Sequence, residues 1–372
     1  MRRFILAPDS FKGTMTAPEI CDILEGVLKE LVPEAEIIKI PMSDGGEGMV
    51  EAYLRLLGGE KRFASVTGPD GCPVSCPYGI LPDGTAVMEM AGCAGLPLME
   101  GRLDPLHATT RGVGELLKLL ERSGCCRVLM GIGGSATNDC GVGMAAALGY
   151  GFLDESGEAV EPYACNIGRI RHIVRPEALP QLNITVACDV DNPLWGPRGA
   201  SAVFGPQKGL APEQIGPMDR DIRAFAERIR EELGVDLSGV PGAGAAGGLG
   251  AALLAFCGAS LKPGIELLLD TAGMDELLKG TDMVITGEGR IDAQSAAGKV
   301  TVGVGLRAKQ ARVPCIAICG SIGHGAEMVL LRGIGGYYSA SGSARSMDEI
   351  RKTCRDDLRN TARVVLKEFV YL

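Results

Sequence analysis

The chain has 372 residues, more than one domain usually holds, so its length predicts two domains. A hydrophobic fraction of 46% and a charged fraction of 22% are typical of a globular protein, and no uncharged stretch is long enough to cross a bilayer. The net charge of −9 disfavours binding to nucleic acid or to an anionic membrane, because both need a basic surface.

The cysteines indicate a reducing compartment. There are 13 of them, an odd number, and they are scattered without two matching metal-binding pairs. The N-terminal "MRRFILAPDS" also lacks the long apolar core of a signal peptide, because Asp9 and Lys12 follow it too soon. We therefore expect a cytoplasmic protein whose cysteines are mostly small buried residues.

Short apolar runs alternate with amphipathic stretches along the chain, which predicts strands alternating with helices. In chain order these are a strand over 2–8, a helix over 16–33, a strand over 35–42, a helix over 112–124, a strand over 126–132, a helix over 144–151, a strand over 183–190, a helix over 211–233, strands over 282–289 and 314–321, and a helix from 346 onward. Thr16 is a natural N-cap for the first helix, and Ser346 with Glu349 forms a capping box before the last. Such an alternation predicts a mostly parallel sheet covered by helices on both faces.

Small polar loops follow five of the predicted strands. They are "DSFKGT" with Asp9 and Lys12, "SDGGEG" with Ser43, Asp44 and Glu47, "GGSATND" with Gly133 to Asp139, "DVDNPLWG" with Asp189 and Asp191, and "GEGRID" with Glu288, Arg290 and Asp292. In open α/β sheets ligands bind beyond the carboxyl ends of the strands. The pattern therefore predicts that these loops share one crevice.

The residue types in these loops favour phosphoryl transfer. Glycines ahead of a helix leave backbone N–H groups that bind phosphate, and the helix N-terminus adds favourable partial charge. Carboxylates suit Mg²⁺, which takes oxygen ligands and keeps several waters. A lysine and an arginine suit an anionic substrate, and together these parts position and neutralise a transferring phosphoryl group.

Two motif searches narrow the reaction further. The stretch "AQSAAGKVT" lacks the first glycine and the hydroxyl residue of a P-loop, so the sequence does not predict a P-loop enzyme. Gly131, Gly133 and Ala136 meet the dinucleotide fingerprint, and Asp154 falls near its ribose-binding offset. An NAD(P)-dependent oxidoreductase is therefore the main alternative, although it leaves the acids at the other strand ends unexplained. A metabolite sensor is a third alternative, but no output module is recognisable in the sequence.

Seven runs in order resemble those of the bacterial glycerate kinases. They are "APDSFKGT", "SDGGEG", "GGSATND", "ACDVDNPL", "VFGPQKG", "PGAGAAGG" and "ITGEGRID", and the resemblance extends from Ala7 to beyond Cys319. The departures are small: Cys140 follows Asp139 where glycine is expected, and Ser43 precedes Asp44 where alanine is common.

This resemblance implies two α/β domains with the active site in the cleft between them. One is Rossmann-like, with a mostly parallel sheet, and discontinuous in sequence; we place it at residues 1–73 plus 268–372, with the second α/β domain at 74–267. The implied activity is Mg²⁺-dependent phosphorylation of D-glycerate by ATP. The expected product is 2-phosphoglycerate, with 3-phosphoglycerate as the alternative.

The resemblance also allows roles to be assigned to individual residues. The predicted catalytic residues are Asp189, Lys12 and Asp9. The predicted phosphate- and nucleotide-binding residues are Gly133, Gly134, Ser135, Thr137, Asn138 and Asp139. The predicted glycerate-binding residues are Asp44, Arg290 and Lys208, and the predicted Mg²⁺ ligands are Asp191, Glu288 and Asp292.

Several of these residues have a purely structural alternative. Asp9 could serve only as a helix N-cap, and Asp191 could form a turn before Pro193. We expect the segment "GAGAAGG" from Gly242 to be a mobile glycine loop that lines the cleft, with a close-packing contact as the alternative. The sequence leaves open which carboxylate is the base, which ones hold metal, and the oligomeric state.

Overall fold

The structure is a computed structural model that describes residues 2–42, 48–293, 295, 300–341 and 346–370. It divides into two compact units: unit 1 is Met1–Asp44 with Ile265–Leu372, and unit 2 is Gly45–Gly264. No helix in these ranges is both long enough and apolar enough to span a membrane.

Strands and helices are numbered along the chain. The strands are β1 (Arg3–Pro8), β2 (Glu36–Lys39), β3 (Glu60–Thr67), β4 (Pro73–Ile80), β5 (Ala86–Glu89), β6 (Arg127–Gly131), β7 (Gly151–Leu153), β8 (His172–Val174), β9 (Asn183–Ala187), β10 (Ser260–Lys262), β11 (Met283–Gly287), β12 (Arg290–Ile291), β13 (Cys315–Cys319), β14 (Ser321–Ile322) and β15 (Gly336–Ser339). The helices are α1 (Ala17–Leu31), α2 (Met49–Leu57), α3 (Ala91–Ala94), α4 (Arg111–Arg122), α5 (Val142–Leu148), α6 (Ala200–Phe204), α7 (Pro212–Leu233), α8 (Ala245–Cys257), α9 (Gly264–Thr271), α10 (Met274–Leu277), α11 (Val300–Gln310) and α12 (Met347–Val370).

Unit 1 is built on a parallel sheet in the order β2-β1-β11-β13-β15. Numbered within the unit, this is the 2-1-3-4-5 order of flavodoxin-like doubly wound folds. Phe4 and Leu6 of β1 belong to the core cluster formed with α1 and α12, and α11 contacts β11, β13 and β1 without taking part in that cluster. The predicted parallel α/β architecture is therefore confirmed for this unit.

The N-cap at Thr16 and the capping box of Ser346 with Glu349 that the sequence predicts in unit 1 are present, and Thr16 also forms a capping box with Glu19. Thr16 caps α1: its hydroxyl accepts from the Glu19 N–H, and its own N–H donates to the Glu19 carboxylate at 2.8 Å. Ser346 and Glu349 repeat this pattern ahead of α12, with 2.9 Å between the Ser346 nitrogen and the Glu349 carboxylate. Because α1 has Thr16 as its cap, Asp9 is not the N-cap of that helix.

Unit 2 has a mixed sheet in the order β10-β9-β6-β5-β4-β3. The strands β10, β9, β6 and β5 run parallel, whereas β4 pairs antiparallel with both β5 and β3. The pairing of β3 with β4 extends from Glu60↔Ile80 to Thr67↔Pro73. This hairpin ties β3 into the second sheet.

The predicted domain boundaries, 73/74 and 267/268, and the limits of the two compact units fall at different residues. We placed the second boundary at 267/268, and the structure has it at 264/265. We placed the first at 73/74, but the structure assigns residues 45–73 to unit 2. The reason is the β3–β4 hairpin, whose first strand has no partner in the unit 1 sheet.

Candidate active site

The centre of unit 1 brings together two of the predicted loops. β1 and β11 are adjacent parallel strands, with Pro8 opposite Gly287. Asp9 to Lys12 follow β1, and Glu288 to Asp292 follow β11. In the 2-1-3-4-5 order this pair of strands is the switch point, where chain connections leave to opposite sides and open a crevice. The fold thus places these residues where α/β proteins bind ligands.

A cavity of about 410 Å³ occupies this position. Its volume lies in the range of small-molecule pockets, roughly 300–1,000 Å³. It is lined by Asp9, Ser10, Phe11, Lys12, Thr14, Met15, Glu288, Gly289, Arg290, Asp292, Gly320, Ser321, Ala340, Ser341, Met347, Ile350 and Cys354. Five predicted site residues, Asp9, Lys12, Glu288, Arg290 and Asp292, therefore share one cavity.

Glycines let the loops of this cavity lie against each other. A Cβ on Gly289 would come within 3.3 Å of the backbone nitrogen of Lys12, and one on Gly320 would lie 2.5 Å from the backbone oxygen of Gly289. The Gly320 N–H also donates to the Glu288 carbonyl at 3.0 Å, and the Ser321 N–H to the Gly289 carbonyl at 3.0 Å. The glycines of "GEGRID" and "ICGS" thus fix the geometry of the cavity wall.

The charged groups of the cavity differ in exposure. Asp9 and Glu288 are buried, with 9% and 6% of their surface exposed, whereas Lys12 and Arg290 reach solvent. Asp9 accepts from the Ser10 N–H at 2.6 Å, and Arg290 forms an ion pair of 3.3 Å with Asp292. Two exposed cations and two buried carboxylates in one cavity suit an anionic ligand together with a metal cation.

In unit 2 the loop Gly133–Asp139 connects β6 to α5. Gly133 and Gly134 are exposed, and Gly134 has a φ of +73°, which favours glycine. Ser135, Thr137, Asn138 and Asp139 are buried beneath them. Within the described part of the chain, the Thr137 hydroxyl and the side-chain amide oxygen of Asn138 have no hydrogen-bond partner. Unsatisfied buried groups of this kind are rare and are often found at sites that bind a ligand or water.

Asp139 supports the loop from below. Its carboxylate accepts from the Thr110 N–H at 2.9 Å and hydroxyl at 2.7 Å, and from the N–H groups of Gly141 and Gly143. Burial raises the pKa of Asp139, and these hydrogen bonds oppose that shift. We predicted a phosphate contact for this residue, but its side chain is fully buried and holds the start of α5.

Lys208 also lies under this loop. Only 2% of its surface is exposed, and its ammonium group lies 2.8 Å from the Ser135 hydroxyl and 2.6 Å from the Thr137 carbonyl. Burial lowers the pKa of Lys208 to about 7, and the charge of Asp139 opposes the shift. The sequence predicted a glycerate-binding lysine, whereas the observed contacts are with the loop itself.

The glycines of "PGAGAAGG" pack directly against the same loop. A Cβ on Gly247 would lie 2.1 Å from the Thr137 oxygen, and one on Gly248 would lie 2.9 Å from the Cys140 Cα. Ala246, Gly247 and Gly248 all have positive φ, and the Gly247 carbonyl accepts from the Cys140 N–H at 3.0 Å. Of the two alternatives for this segment, the structure has the close-packing contact at these positions.

The two aspartates after β9 have different surroundings. Asp189 is exposed, and one of its oxygens accepts from the Gly264 N–H at 2.8 Å. Asp191 forms an ion pair of 2.8 Å with Arg198, and both side chains are mostly exposed, at 75% and 67%. Asp189 is thus held in one orientation, while Asp191 takes part in a surface ion pair of the kind that adds little stability.

The predicted metal and substrate residues do not all lie in the described part of the structure or in one unit. Asp44, with Ser43 and Glu47 of "SDGGEG", lies outside the described residues. Among the residues that are described, there is no group of three or more His, Cys, Asp or Glu side chains placed to hold a metal ion. The predicted ligands Glu288 and Asp292 share the unit 1 cavity, and Asp191 belongs to unit 2.

Glu89 is a residue that sequence reasoning missed. Its carboxylate accepts from the N–H groups of Gly48 at 3.1 Å and Val50 at 2.7 Å, at the N-terminus of α2. It lies at the carboxyl end of β5, opposite Gly131 of β6. Glu89 therefore fixes the helix that follows "SDGGEG" to the strand edge that bears the Gly133–Asp139 loop. The available signal was an acid ending the apolar run "AVME".

The oxidoreductase alternative does not fit the loop. After Gly131 the chain runs through ten residues before α5 begins at Val142, so the fingerprint glycines do not sit in a tight strand-to-helix turn. Ala136 instead donates its N–H to the Ala94 carbonyl. Asp154 accepts from the N–H groups of Ser156 and Glu158 in a local turn, where it is not presented to a ribose.

A doubly wound sheet with a charged cavity at its switch point, and a second sheet with a glycine-rich loop at a strand end, define an α/β enzyme that acts on small anionic molecules. Comparison with known proteins specifies the family. The model of the glycerate kinase family matches residues 4–370. The chain belongs to this family, and the predicted kinase is confirmed.

Relatives and a solved structure agree with this assignment. The chain is 42% identical over 366 residues to glycerate 2-kinase of Escherichia coli K12, covering 97% of this chain and 96% of that one. It is 43% identical over 371 residues to a glycerate kinase of Halalkalibacterium halodurans, covering 98% and 97%. A crystal structure of a protein provisionally assigned as glycerate kinase 2 from Salmonella typhimurium LT2 matches all of both chains with a TM-score of 0.88 and 40% identity.

Proposed function

We propose that this kinase transfers the γ-phosphoryl group of ATP to D-glycerate and gives 2-phosphoglycerate. The single observation that carries the proposal is the unit 1 cavity, which places Lys12 and Arg290 beside Asp9, Glu288 and Asp292 in a chain of the glycerate kinase family. Cations neutralise the charge of phosphate and carboxylate groups, which is most of what catalysis of phosphoryl transfer requires.

Lys12 and Arg290 are the groups that bind anionic oxygens in this proposal. Both side chains line the cavity and are exposed to solvent, so a ligand can contact their charged groups without any rearrangement of the cavity wall. Arg290 is already oriented by Asp292 at 3.3 Å, and its planar guanidinium suits two oxygens of one carboxylate or phosphate.

Asp189 is the proposed general base for the glycerate hydroxyl. The hydrogen bond from Gly264 to one carboxylate oxygen fixes the orientation of the group, which general base catalysis needs. Asp9 is the alternative base, because it is buried in the wall of the cavity that holds Lys12.

The donor set of the cavity fits Mg²⁺. Glu288 and Asp292 supply carboxylate oxygens at one site, and Mg²⁺ usually binds one or two carboxylates with waters and substrate phosphates completing its shell. When bound, the metal would neutralise charge on the phosphate oxygens. Asp191 stays a second candidate ligand from unit 2.

The exposed backbone of Gly133 and Gly134 is the proposed phosphate contact of unit 2. Glycine at these positions leaves room for an anion to approach the main chain. The buried Thr137 hydroxyl and Asn138 oxygen would gain a partner from a ligand or an ordered water.

The reaction is tested by incubating the purified protein with ATP, MgCl₂ and D-glycerate and recording the phosphorus NMR spectrum of the product. We expect the signal of 2-phosphoglycerate, by analogy with the Escherichia coli relative that bears this regiochemistry in its name. A 3-phosphoglycerate signal would leave the kinase intact and overturn the regiochemistry. No product with either glycerate enantiomer would contradict the proposed substrate.

The proposed setting follows from composition. The substrates are small molecules, and the net charge of −9 argues against nucleic acid as a partner. All 13 cysteines are free thiols, which supports the cytoplasm as the proposed location.

A further inference from the structure

The cavity of unit 1 has an apolar wall that glycerate does not explain. The wall consists of Phe11, Met15, Met347, Ile350 and Cys354. Phe11 and Met15 flank the turn after β1 and exchange two backbone hydrogen bonds, of 2.9 and 3.0 Å. The other three lie on α12 at spacings of three and four residues, which puts them on one face of the helix.

The charged residues gather at the strand ends of the same cavity. Lys12, Arg290 and the buried Glu288 belong to the loops after β1 and β11, whereas Met347 and Ile350 belong to α12. The α12 side of the cavity is thus apolar, whereas the loops after β1 and β11 contribute the charged groups, with Phe11 and Met15 continuing the apolar wall. A ligand that fills it must have an anionic end and an apolar end.

Glycerate meets only half of this requirement. It has seven non-hydrogen atoms, and every carbon atom bears oxygen, so it has no apolar surface to place against methionine, isoleucine or phenylalanine side chains. A cavity of about 410 Å³ is also of the size that holds drug-sized ligands. A purine nucleotide has the size, a planar ring with apolar faces, and an anionic chain.

We propose that the apolar wall formed by Phe11, Met15, Met347, Ile350 and Cys354 is the site of the nucleotide base, with the phosphates directed toward Lys12 and Arg290. The inference rests on the proposed use of ATP. The thioethers of Met15 and Met347 and the ring of Phe11 suit a purine, because sulfur–aromatic and aromatic–aromatic contacts are favourable. The switch point of a 2-1-3-4-5 sheet is also where this fold class binds nucleotides.

The test uses Ile350→Ser and Met347→Ser, with Val364→Ser as the matched control. Val364 is an exposed residue of the same helix and does not line the cavity, and Met347 is itself 49% exposed, so its replacement does not threaten folding. Thermal unfolding of each variant checks this. Binding of adenosine is measured by saturation-transfer NMR, and the KM values for ATP and D-glycerate by a coupled assay.

We expect Ile350→Ser to weaken adenosine binding and raise the KM for ATP about tenfold, which corresponds to roughly 1.4 kcal/mol. Met347→Ser should act in the same direction, and Val364→Ser should leave both values unchanged. The KM for D-glycerate and inhibition by tripolyphosphate, which has phosphates and no base, should stay within about twofold because the substitutions are neutral.

The outcomes separate this inference from the proposed function. If turnover of glycerate is absent while adenosine binds the wild type and is weakened in the two variants, the base site stands and the proposed function fails. If turnover is normal and the KM for ATP is unaffected by either variant, the base site is overturned. A rise in the KM for D-glycerate alone would assign the cavity to glycerate and overturn it as well.

Discussion

Lys208 is a charged side chain in an almost fully buried position. Its ammonium group donates to the Ser135 hydroxyl and to the Thr137 carbonyl, which are dipoles and not charges. Dipoles recover only part of the hydration that a cation loses on burial, so the pKa falls to about 7 from 10.5. We interpret Lys208 as a residue that positions the loop, because its contacts are the side chain and main chain of that loop.

This position predicts a pH dependence of stability. The folded pKa of about 7 lies below the ordinary value of 10.5, so between these values the unfolded chain holds a proton that the folded chain lacks. The free energy of unfolding therefore rises with pH in this window, while below pH 7 the burial penalty is fully present. Between pH 7 and 8.5 we expect a gain of about 2 kcal/mol, since one proton contributes roughly 1.4 kcal/mol per pH unit. Urea unfolding at a series of pH values measures it.

Lys208→Met supplies the comparison for this measurement. It keeps an unbranched chain of similar length and removes the titrating group, so the difference in unfolding free energy between the two proteins should change across pH 7 to 8.5 as stated. Other titrating groups cancel in that difference. A difference that stays constant with pH would show that Lys208 has an ordinary pKa in the folded protein.

Asp189 carries the second prediction at this scale. Asp189→Asn keeps an oxygen that accepts from the Gly264 N–H and removes the base, so folding should persist while turnover falls about a hundredfold or more. The measurement is kcat by the coupled assay, with circular dichroism for the fold. Asp104→Asn, an exposed acid beside His107 in the same unit, is the control and should keep wild-type kcat. A near-normal kcat for Asp189→Asn would remove it as the base.

At the scale of elements, the Gly133–Asp139 loop depends on a segment distant in sequence. Ala246 to Gly248 form a left-handed turn, a conformation that costs each non-glycine residue roughly 1–2 kcal/mol. The turn brings Gly247 against Thr137 and Gly248 against Cys140. Backbone strain of this kind concentrates at functional sites, where surrounding contacts hold it in place.

Gly247→Ala and Gly239→Ala separate conformational strain from close contact. Both glycines have nearly equal φ, +67° and +65°, but a Cβ at 247 lies 2.1 Å from the Thr137 oxygen, while a Cβ at 239 has no described atom within 4 Å. We expect Gly239→Ala to lower the free energy of unfolding by about 1 kcal/mol and Gly247→Ala by about 3 kcal/mol or more. Urea unfolding measures both.

Kinetics add a second measure to this pair. Only Gly247→Ala should raise the KM for a substrate, because only that change moves the loop. Equal losses of stability in the two variants, with unchanged kinetics, would contradict this. They would mean that the Thr137 backbone can shift away from the added Cβ without affecting stability or activity.

The sequence predicted the helices and parallel strands better than the hairpin of unit 2. Regular apolar runs such as "FILAP" and "RVLMGI" identify buried parallel strands directly. β3 begins with the charged residues Glu60, Lys61 and Arg62, and its first four residues are exposed. β4 mixes exposed and buried residues, so no apolar run distinguishes either strand. The antiparallel pairing of these two strands over eight residues depends on contacts between them, which a local sequence pattern does not reveal.

The sequence predicted which loops would lie together at the strand ends of unit 1, but not which of the polar side chains would be buried. Asp9, Lys12, Glu288, Arg290 and Asp292 follow adjacent strands, so the topology brings them to one cavity. Asp139 belongs to one of these polar loops and Lys208 to the run "VFGPQKG", but both side chains are buried, where Thr110, Ser135 and the N–H groups at the start of α5 satisfy them. Partners of this kind come from distant segments, which the sequence does not pair.

At the scale of the whole molecule, the two units differ in how the chain builds them. Unit 2 is one continuous segment, and its hydrophobic cluster, from Ala64 to Ala259, lies entirely within it. Unit 1 combines two segments, and its strand β1 pairs with β2 of the first and β11 of the second. The core of unit 1 likewise needs α1 and α12 together.

This difference predicts how fragments behave. A fragment of residues 45–264 retains every strand of its mixed sheet and its complete core, so it should fold alone, with cooperative thermal unfolding and a dispersed amide NMR spectrum. A fragment of residues 265–372 lacks β1 and α1, which leaves the edge of β11 unpaired and one face of α12 uncovered, so it should remain unfolded or aggregate. Adding residues 1–44 as a separate peptide should restore structure to it. An unfolded 45–264 fragment would mean that the core of unit 2 is insufficient without unit 1.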